Sequence, residues 1–108
     1  MRQYEIWWAN LPAPAGPRPV LLLTRSSAYT YLNKFVAAEI TSTIRDIPVE
    51  LHLGPKDGLP DVCAANFDNL RTVAKISLQE RISRLHPRRY SDVKRAMGHA
   101  LAWDKLIP

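Results

Sequence analysis

From Phe35 to Thr43 the chain alternates. Val36, Ala38, Ile40 and Ser42 fall on one side of an extended segment, and Ala37, Glu39, Thr41 and Thr43 on the other, the period of two that a half-buried strand requires. The first set predicts the core face and leaves Glu39 and Thr41 side by side on an open face. Pro48 to Leu53 repeats the pattern, with Val49, Leu51 and Leu53 opposite Glu50 and His52, and is expected to pair with the strand before it. Nearer the start, Tyr4 to Asn10 is aromatic and β-branched without a breaker and predicts a strand. Pro19 to Arg25 is a continuous apolar run, which fits a strand covered on both faces. Between them Leu11 to Pro17 cannot join a ladder, because Pro12, Pro14 and Pro17 lack the N–H donor. Ser26 to Asn33 supplies polar turn chemistry.

The second half is more broken. Gly54 to Pro60 is dense in turn formers and predicts a mobile surface loop. Asp61 to Asn66 and Leu70 to Val73 predict short strands flanking Phe67-Asp68-Asn69, and Glu80 to Leu85 a last short strand or turn. His86-Pro87 then sets up a helix, with Pro87 near its first turn. Val93, Met97, Ala100 and Leu101 recur at helical spacing, and the helix is expected to run to about Trp103. Five to seven short strands and one C-terminal helix predict a small, mainly β barrel.

A length of 108 residues predicts one domain spanning 1–108, and 46% hydrophobic content with three Trp argues against disorder. No apolar stretch reaches the roughly 18 residues that would cross a bilayer, and Met1 to Glu5 is not a signal peptide, so a cytoplasmic protein is expected. Cys63 is the only cysteine. It excludes an internal disulfide and a multi-cysteine metal site, and reads as a small buried hydrophobe. Charge changes the picture more. Residues 1–70 carry six Lys/Arg against seven Asp/Glu, while residues 71–95 carry eight against two, a local +6 within a net +5. That surplus is either the footprint of an acidic partner or a solvated helix face.

Four segments carry a resemblance. Glu5-Ile6-Trp7-Trp8, Gly16-Pro17-Arg18-Pro19-Val20-Leu21, Ile40-Thr41-Ser42 and Leu70-Arg71-Thr72-Val73 resemble the successive blocks of the MazF/PemK toxin family, in order and spacing, over about Tyr4 to Trp103. The resemblance implies a small SH3-like barrel and a homodimer. It also implies a metal-independent, cofactor-free endoribonuclease that cuts single-stranded RNA to 2',3'-cyclic phosphate and 5'-hydroxyl ends and is held inactive by a cognate antitoxin.

Cleaving RNA without a metal uses the substrate's own 2'-hydroxyl as nucleophile, so the protein must supply orientation and electrostatic stabilisation. Arg18, delivered by the proline-rich loop to the start of a buried strand, suits a phosphate clamp, because a planar guanidinium donates two parallel hydrogen bonds. The resemblance assigns catalysis to Arg18 and Thr41. Some family members also carry an Arg-x-Asp pair before the later Arg-Thr; here Asp68 matches the aspartate and Asn66 replaces the arginine. Asn66, Asp68 and Arg71 are therefore further candidates for catalysis or RNA contact. Glu39, on the face shared with Thr41, is a candidate proton acceptor, whereas His52, His86 and His99 fall in no family block. Trp8, Tyr29 and Tyr31, near loops, are candidate stacking residues for unpaired bases; of the adjacent Trp7 and Trp8, Trp7 is assigned to the core.

Two rivals follow from the fold. The gyrase-poisoning CcdB toxins share the barrel but would not need Arg18 and Thr41 together. A non-catalytic SH3-like module would use exposed tryptophans to bind a proline-rich peptide.

Overall fold

The computed structural model describes residues 1–108. Six strands, β1 (Glu5–Asn10), β2 (Pro17–Leu22), β3 (Lys34–Thr41), β4 (Glu50–Leu53), β5 (Cys63–Ala74) and β6 (Leu78–Arg84), precede one helix, α1 (Tyr90–Leu101). The strands form a single sheet in the spatial order β4, β5, β3, β2, β1, β6, all neighbours antiparallel. It curls into a half-barrel with α1 against one face.

The apolar run in β2 is explained by two cores. Leu21 packs with Ile6, Ala38, Ile40, Leu51, Phe67, Val93 and Ala96 on the helix side. Val20 and Leu22 pack with Ala9, Phe35, Ala37, Tyr29 and Val73 on the other. A strand buried on both faces loses its alternation. The same curl alters the assignment in β3: Ala38 and Ile40 are core as expected, but Ala37 is fully buried and Val36 is exposed. The open face therefore begins only at Glu39.

Further expectations are corrected. β2 begins at Pro17, which sits opposite Asn10 at the end of the β1 ladder, and stops at Leu22 and not at Arg25. β4 pairs with β5 and not with β3, because β3 already has Ala64 opposite Thr41 and Asn66 opposite Glu39, so β4 adds outside β5 with Leu53 across from Cys63. The two short strands around Phe67-Asp68-Asn69 are one strand. Its register against β3 jumps from Ala38 opposite Leu70 to Glu39 opposite Asn66, a bulge that keeps Phe67 buried while Asp68 and Asn69 stay exposed. The turn from Gly54 to Pro60 is pinned. Asp57, its carboxylate almost fully covered, accepts from the Gly54 N–H at 3.1 Å and from Arg89 Nη1 at 2.6 Å. Gly58 has φ +89°, and a Cβ there would lie 2.5 Å from that of Ser83.

Arg89 is the clamp between the sheet and the helix. Besides Asp57 it donates from Nη2 to the His52 carbonyl at 2.7 Å and from Nε to Asp92 at 2.9 Å. α1 begins after His86, whose Nδ1 accepts from the Arg88 N–H at 3.1 Å, and ends at Leu101, two residues short of the expected end, because Ala102 turns left-handed at φ 51°. Much of the charge surplus is spent inside the chain. Of the eight basic residues in 71–95, Arg71, Lys75, Arg81, Arg89 and Arg95 each hold an acceptor of the same chain. That leaves three without a side-chain acceptor in the chain, Arg84, Arg88 and Lys94, all exposed. Most of the surplus is thus structural.

Candidate active site

Arg18 and Thr41 are brought together by strand register. The β2/β3 ladder ends with Val20 opposite Glu39, and Arg18 and Thr41 lie two residues beyond that pair on their respective strands. Both line a small polar cavity with Glu39, Thr43, Arg45, Glu50, Asn66 and Asn69. Both also line a second groove with Trp8, Pro17, Pro19, Ile40 and Ser42.

The loop before β2 orients Arg18. Gly16 has φ +66°, a turn that favours glycine, and the loop closes through a 3.2 Å bond from the Leu11 N–H to the Gly16 carbonyl. Arg18 Nη2 donates to the Ala15 carbonyl at 3.0 Å, and Nη1 to Glu39 Oε1 at 3.1 Å. Glu39 is engaged on its other oxygen too, accepting from Arg71 Nη1 at 3.0 Å. Each oxygen of Glu39 is thus committed to a guanidinium. Its place is between two arginines. Thr41 Oγ1 accepts from the Thr43 N–H at 3.2 Å, so its own proton remains available to an incoming anion.

The other sequence candidates divide. Trp8 is 39% exposed beside Arg18 and Thr41, and Trp7 turns away, half-buried, with its indole N–H on Glu5 at 2.9 Å. Asn66 lines the polar cavity, but its Oδ1 is occupied by the Asp68 N–H at 2.9 Å. Asp68 stands outside both cavities, on the bulge, whereas the neighbouring Asn69 lines the polar cavity with Arg18. Tyr29 is corrected outright: it is 4% exposed, with its ring 4.3 Å from that of Phe35, and no base can stack on it. Burial, reinforced by the Glu5 carboxylate, pushes its pKa up to about 12. Tyr31 is exposed but lies against Arg25 and lines neither cavity. None of the three histidines lines either cavity. Burial, with Asp57 and Asp61 nearby, pushes the Cys63 thiol up in pKa, consistent with an inert buried residue.

Thr43, Arg45, Glu50 and Asn69 complete the polar cavity, and sequence reasoning did not single them out. Asn69 adjoins the last family block, but the loop residues carry no pattern. Glu50 holds that loop in place. Its side chain is 1% exposed, covered by the loop itself, and its carboxylate accepts from the N–H groups of Arg45, Asp46 and Ile47. Burial alone would raise its pKa. The bonds from those three N–H groups and from His52 outweigh it and hold the group below the ordinary carboxylate range. A depressed folded-state value stabilises the protein above the unfolded pKa of about 4.3, and that contribution is lost as pH falls through the folded value. Glu50→Gln should therefore lower the melting temperature at pH 7 and shrink the difference between pH 7 and pH 3, read by circular dichroism melts at both. An undiminished difference would remove this role.

Comparison with known proteins places the chain in a family. The family described as PemK-like, MazF-like toxin of type II toxin-antitoxin system matches residues 2–101. The probable endoribonuclease MazF2 of Mycobacterium tuberculosis (strain ATCC 25618 / H37Rv) is 38% identical over 90 residues, 82% of this chain and 86% of that protein. Among solved structures, Mycobacterium tuberculosis toxin MazF-mt6 superposes with a TM-score of 0.85 at 28% identity, covering 91% of this chain and 96% of that one. An endoribonuclease in complex with its cognate antitoxin, from Mycobacterial species, shares the fold at TM-score 0.81 and 23% identity, covering 95% and 96%. This chain belongs to the PemK-like, MazF-like toxin family of type II toxin–antitoxin systems.

Proposed function

We propose that the chain, as a single toxin domain, is an endoribonuclease that cleaves single-stranded RNA without a metal and is neutralised by an antitoxin protein. The observation that carries the reading is the meeting of Arg18 and Thr41 in one polar cavity, beside an exposed Trp8. It acts as a homodimer in the cytoplasm. No helix of the chain is long and apolar enough to cross a membrane.

The chemistry follows from the parts. The 2'-oxygen of the substrate attacks the adjacent phosphorus, the bond from phosphorus to the 5'-oxygen breaks, one proton leaves the 2'-oxygen and another reaches the 5'-oxygen. The products are a 2',3'-cyclic phosphate and a 5'-hydroxyl. Negative charge grows on the non-bridging oxygens, where a preorganised guanidinium and hydroxyl stabilise it most. Arg18 is fixed by Ala15 and Glu39, and Thr41 by Thr43. Little reorganisation remains at the moment of reaction. Trp8 offers a face for a base flanking the cut.

The direct test is purified protein with defined single-stranded RNAs and excess chelator, alongside a gyrase supercoiling assay. Chelator-resistant fragments with intact gyrase activity are expected. Gyrase inhibition with uncut RNA would favour the CcdB-like alternative. The role of Thr41 has its own test. Thr41→Ser keeps the hydroxyl and Thr41→Val keeps the shape, so serine should retain most of the cleavage rate and valine little. Equal rates would demote Thr41 to an ordinary strand residue.

A further inference from the structure

Arg71 and Glu39 form a unit that the catalytic pair alone does not explain. Arg18 and Arg71 come from strands on either side of β3, and Glu39 stands between them with one oxygen on each guanidinium. The carboxylate is 15% exposed, while each arginine side chain is about one-third exposed, at 31% and 30%. Two guanidinium groups on one carboxylate leave a net positive charge, and partial burial of an uncompensated cation is unfavourable unless an anion joins it.

The hydrogen bonding is also incomplete in a particular way. The Nε atoms of both arginines are buried without a partner, and native proteins keep few such donors without a reason. Arg18 has a second anchor in Ala15, but Arg71 has only Glu39. Arg71 can therefore turn about its contact with Glu39 without losing another bond to protein. A phosphodiester oxygen at the exposed part of the Arg71 side chain would supply the missing charge, and the turn about Glu39 would bring the buried Nε edge toward it.

We propose that Arg71 is a second ligand for the RNA phosphodiester backbone, and that Glu39 is a positioning residue that spaces Arg71 from Arg18. The assignment rests on the endoribonuclease reading above. It gives Glu39 a role opposite to that of a base: with one oxygen on each guanidinium it holds the two cations apart.

The test separates binding from chemistry. A random-sequence pool of 2'-O-methyl oligonucleotides, which cannot be cut by its own 2'-oxygen, is titrated by fluorescence anisotropy across a salt series, with folding of each variant checked by circular dichroism. Arg71→Gln should reduce the slope of log affinity against log salt by about 0.7, the contribution of one phosphate contact on a single strand. Arg71→Lys keeps the charge and should keep the slope. Glu39→Gln adds one net positive charge, so it should bind the pool as tightly as wild type or more tightly while cleaving RNA roughly ten- to a hundred-fold more slowly, the scale of a misplaced reacting group. A merely structural Glu39 would not divide binding from rate. An unchanged slope in Arg71→Gln, or wild-type cleavage by Glu39→Gln, overturns the proposal. Failure of the wild-type protein to cut any RNA would instead strike the endoribonuclease reading, because the slope difference is measured without cleavage.

Discussion

Arg18→Ala should cut RNA cleavage by roughly a hundred- to a thousand-fold, the loss expected on removing one preorganised donor from a developing oxyanion. The arginine is held at 3.1 Å by Glu39 and at 3.0 Å by Ala15, so it meets the transition state without first being ordered. Water filling the space left by alanine supplies no such fixed charge. The loss should appear in kcat and kcat/KM alike, since the interaction strengthens as charge develops. Arg18→Lys should recover only part of the rate, because an ammonium cannot reproduce the planar fork that contacts both Ala15 and Glu39. The fold should survive, as β2 is held by Val20, Leu21 and Leu22 on both faces. Single-turnover cleavage on a fixed RNA measures this, and a wild-type rate in folded Arg18→Ala would remove Arg18 from the mechanism.

Arg89→Ala should produce the largest loss of stability. Asp57 is 8% exposed in its side chain and relies on Arg89 Nη1, while the same guanidinium ties the β4 carbonyl of His52 and the first turn of α1 through Asp92. Breaking a buried pair from one side typically costs about 3–5 kcal/mol; because Arg89 keeps some solvent contact, about 2–4 kcal/mol is expected here. Arg88→Ala, one residue away and exposed, should change stability by less than about 0.5 kcal/mol. Urea unfolding of the two variants decides it. Equal midpoints would mean that the clamp contributes nothing. The contrast also bears on RNA binding, because charge reversal at Arg89 would lower affinity through unfolding and not through lost attraction.

The residues that were legible in the sequence are those whose role is fixed by the strand period. Alternation marked β3 and β4 as strands, though it misplaced Val36 and Ala37 between the faces of β3; an unbroken apolar run identified β2 as covered on both faces, and Trp7 and Trp8 divided between core and surface as adjacent strand residues must. The Arg18 and Thr41 candidates needed the four-block resemblance. Their meeting in one cavity follows from the β2/β3 register, which no local pattern encodes. What remained hidden depends on long-range closure. The bulge at Phe67 to Asn69 reads locally as a break between strands, and the partner of β4 is chosen by which edge is free. Tyr29 looks like a loop aromatic because its segment is polar, yet that segment folds over the second core. Asp57 and Arg89 are 32 residues apart, and their pairing turns an apparently mobile loop into an anchored one.

Strand-end chemistry on a substrate altered at one atom tests the account most directly. An RNA that the protein cuts is prepared twice, once unmodified and once with a single 2'-deoxy residue on the 5' side of the cut, and both are incubated with protein and excess chelator. The unmodified RNA should yield a 2',3'-cyclic phosphate and a 5'-hydroxyl, and the 2'-deoxy RNA should bind and remain uncut at that position. Fragments ending in a 3'-hydroxyl and a 5'-phosphate, or cleavage of the 2'-deoxy strand at the same place, would contradict a reaction in which the RNA supplies the nucleophile and Arg18 and Thr41 stabilise the charge.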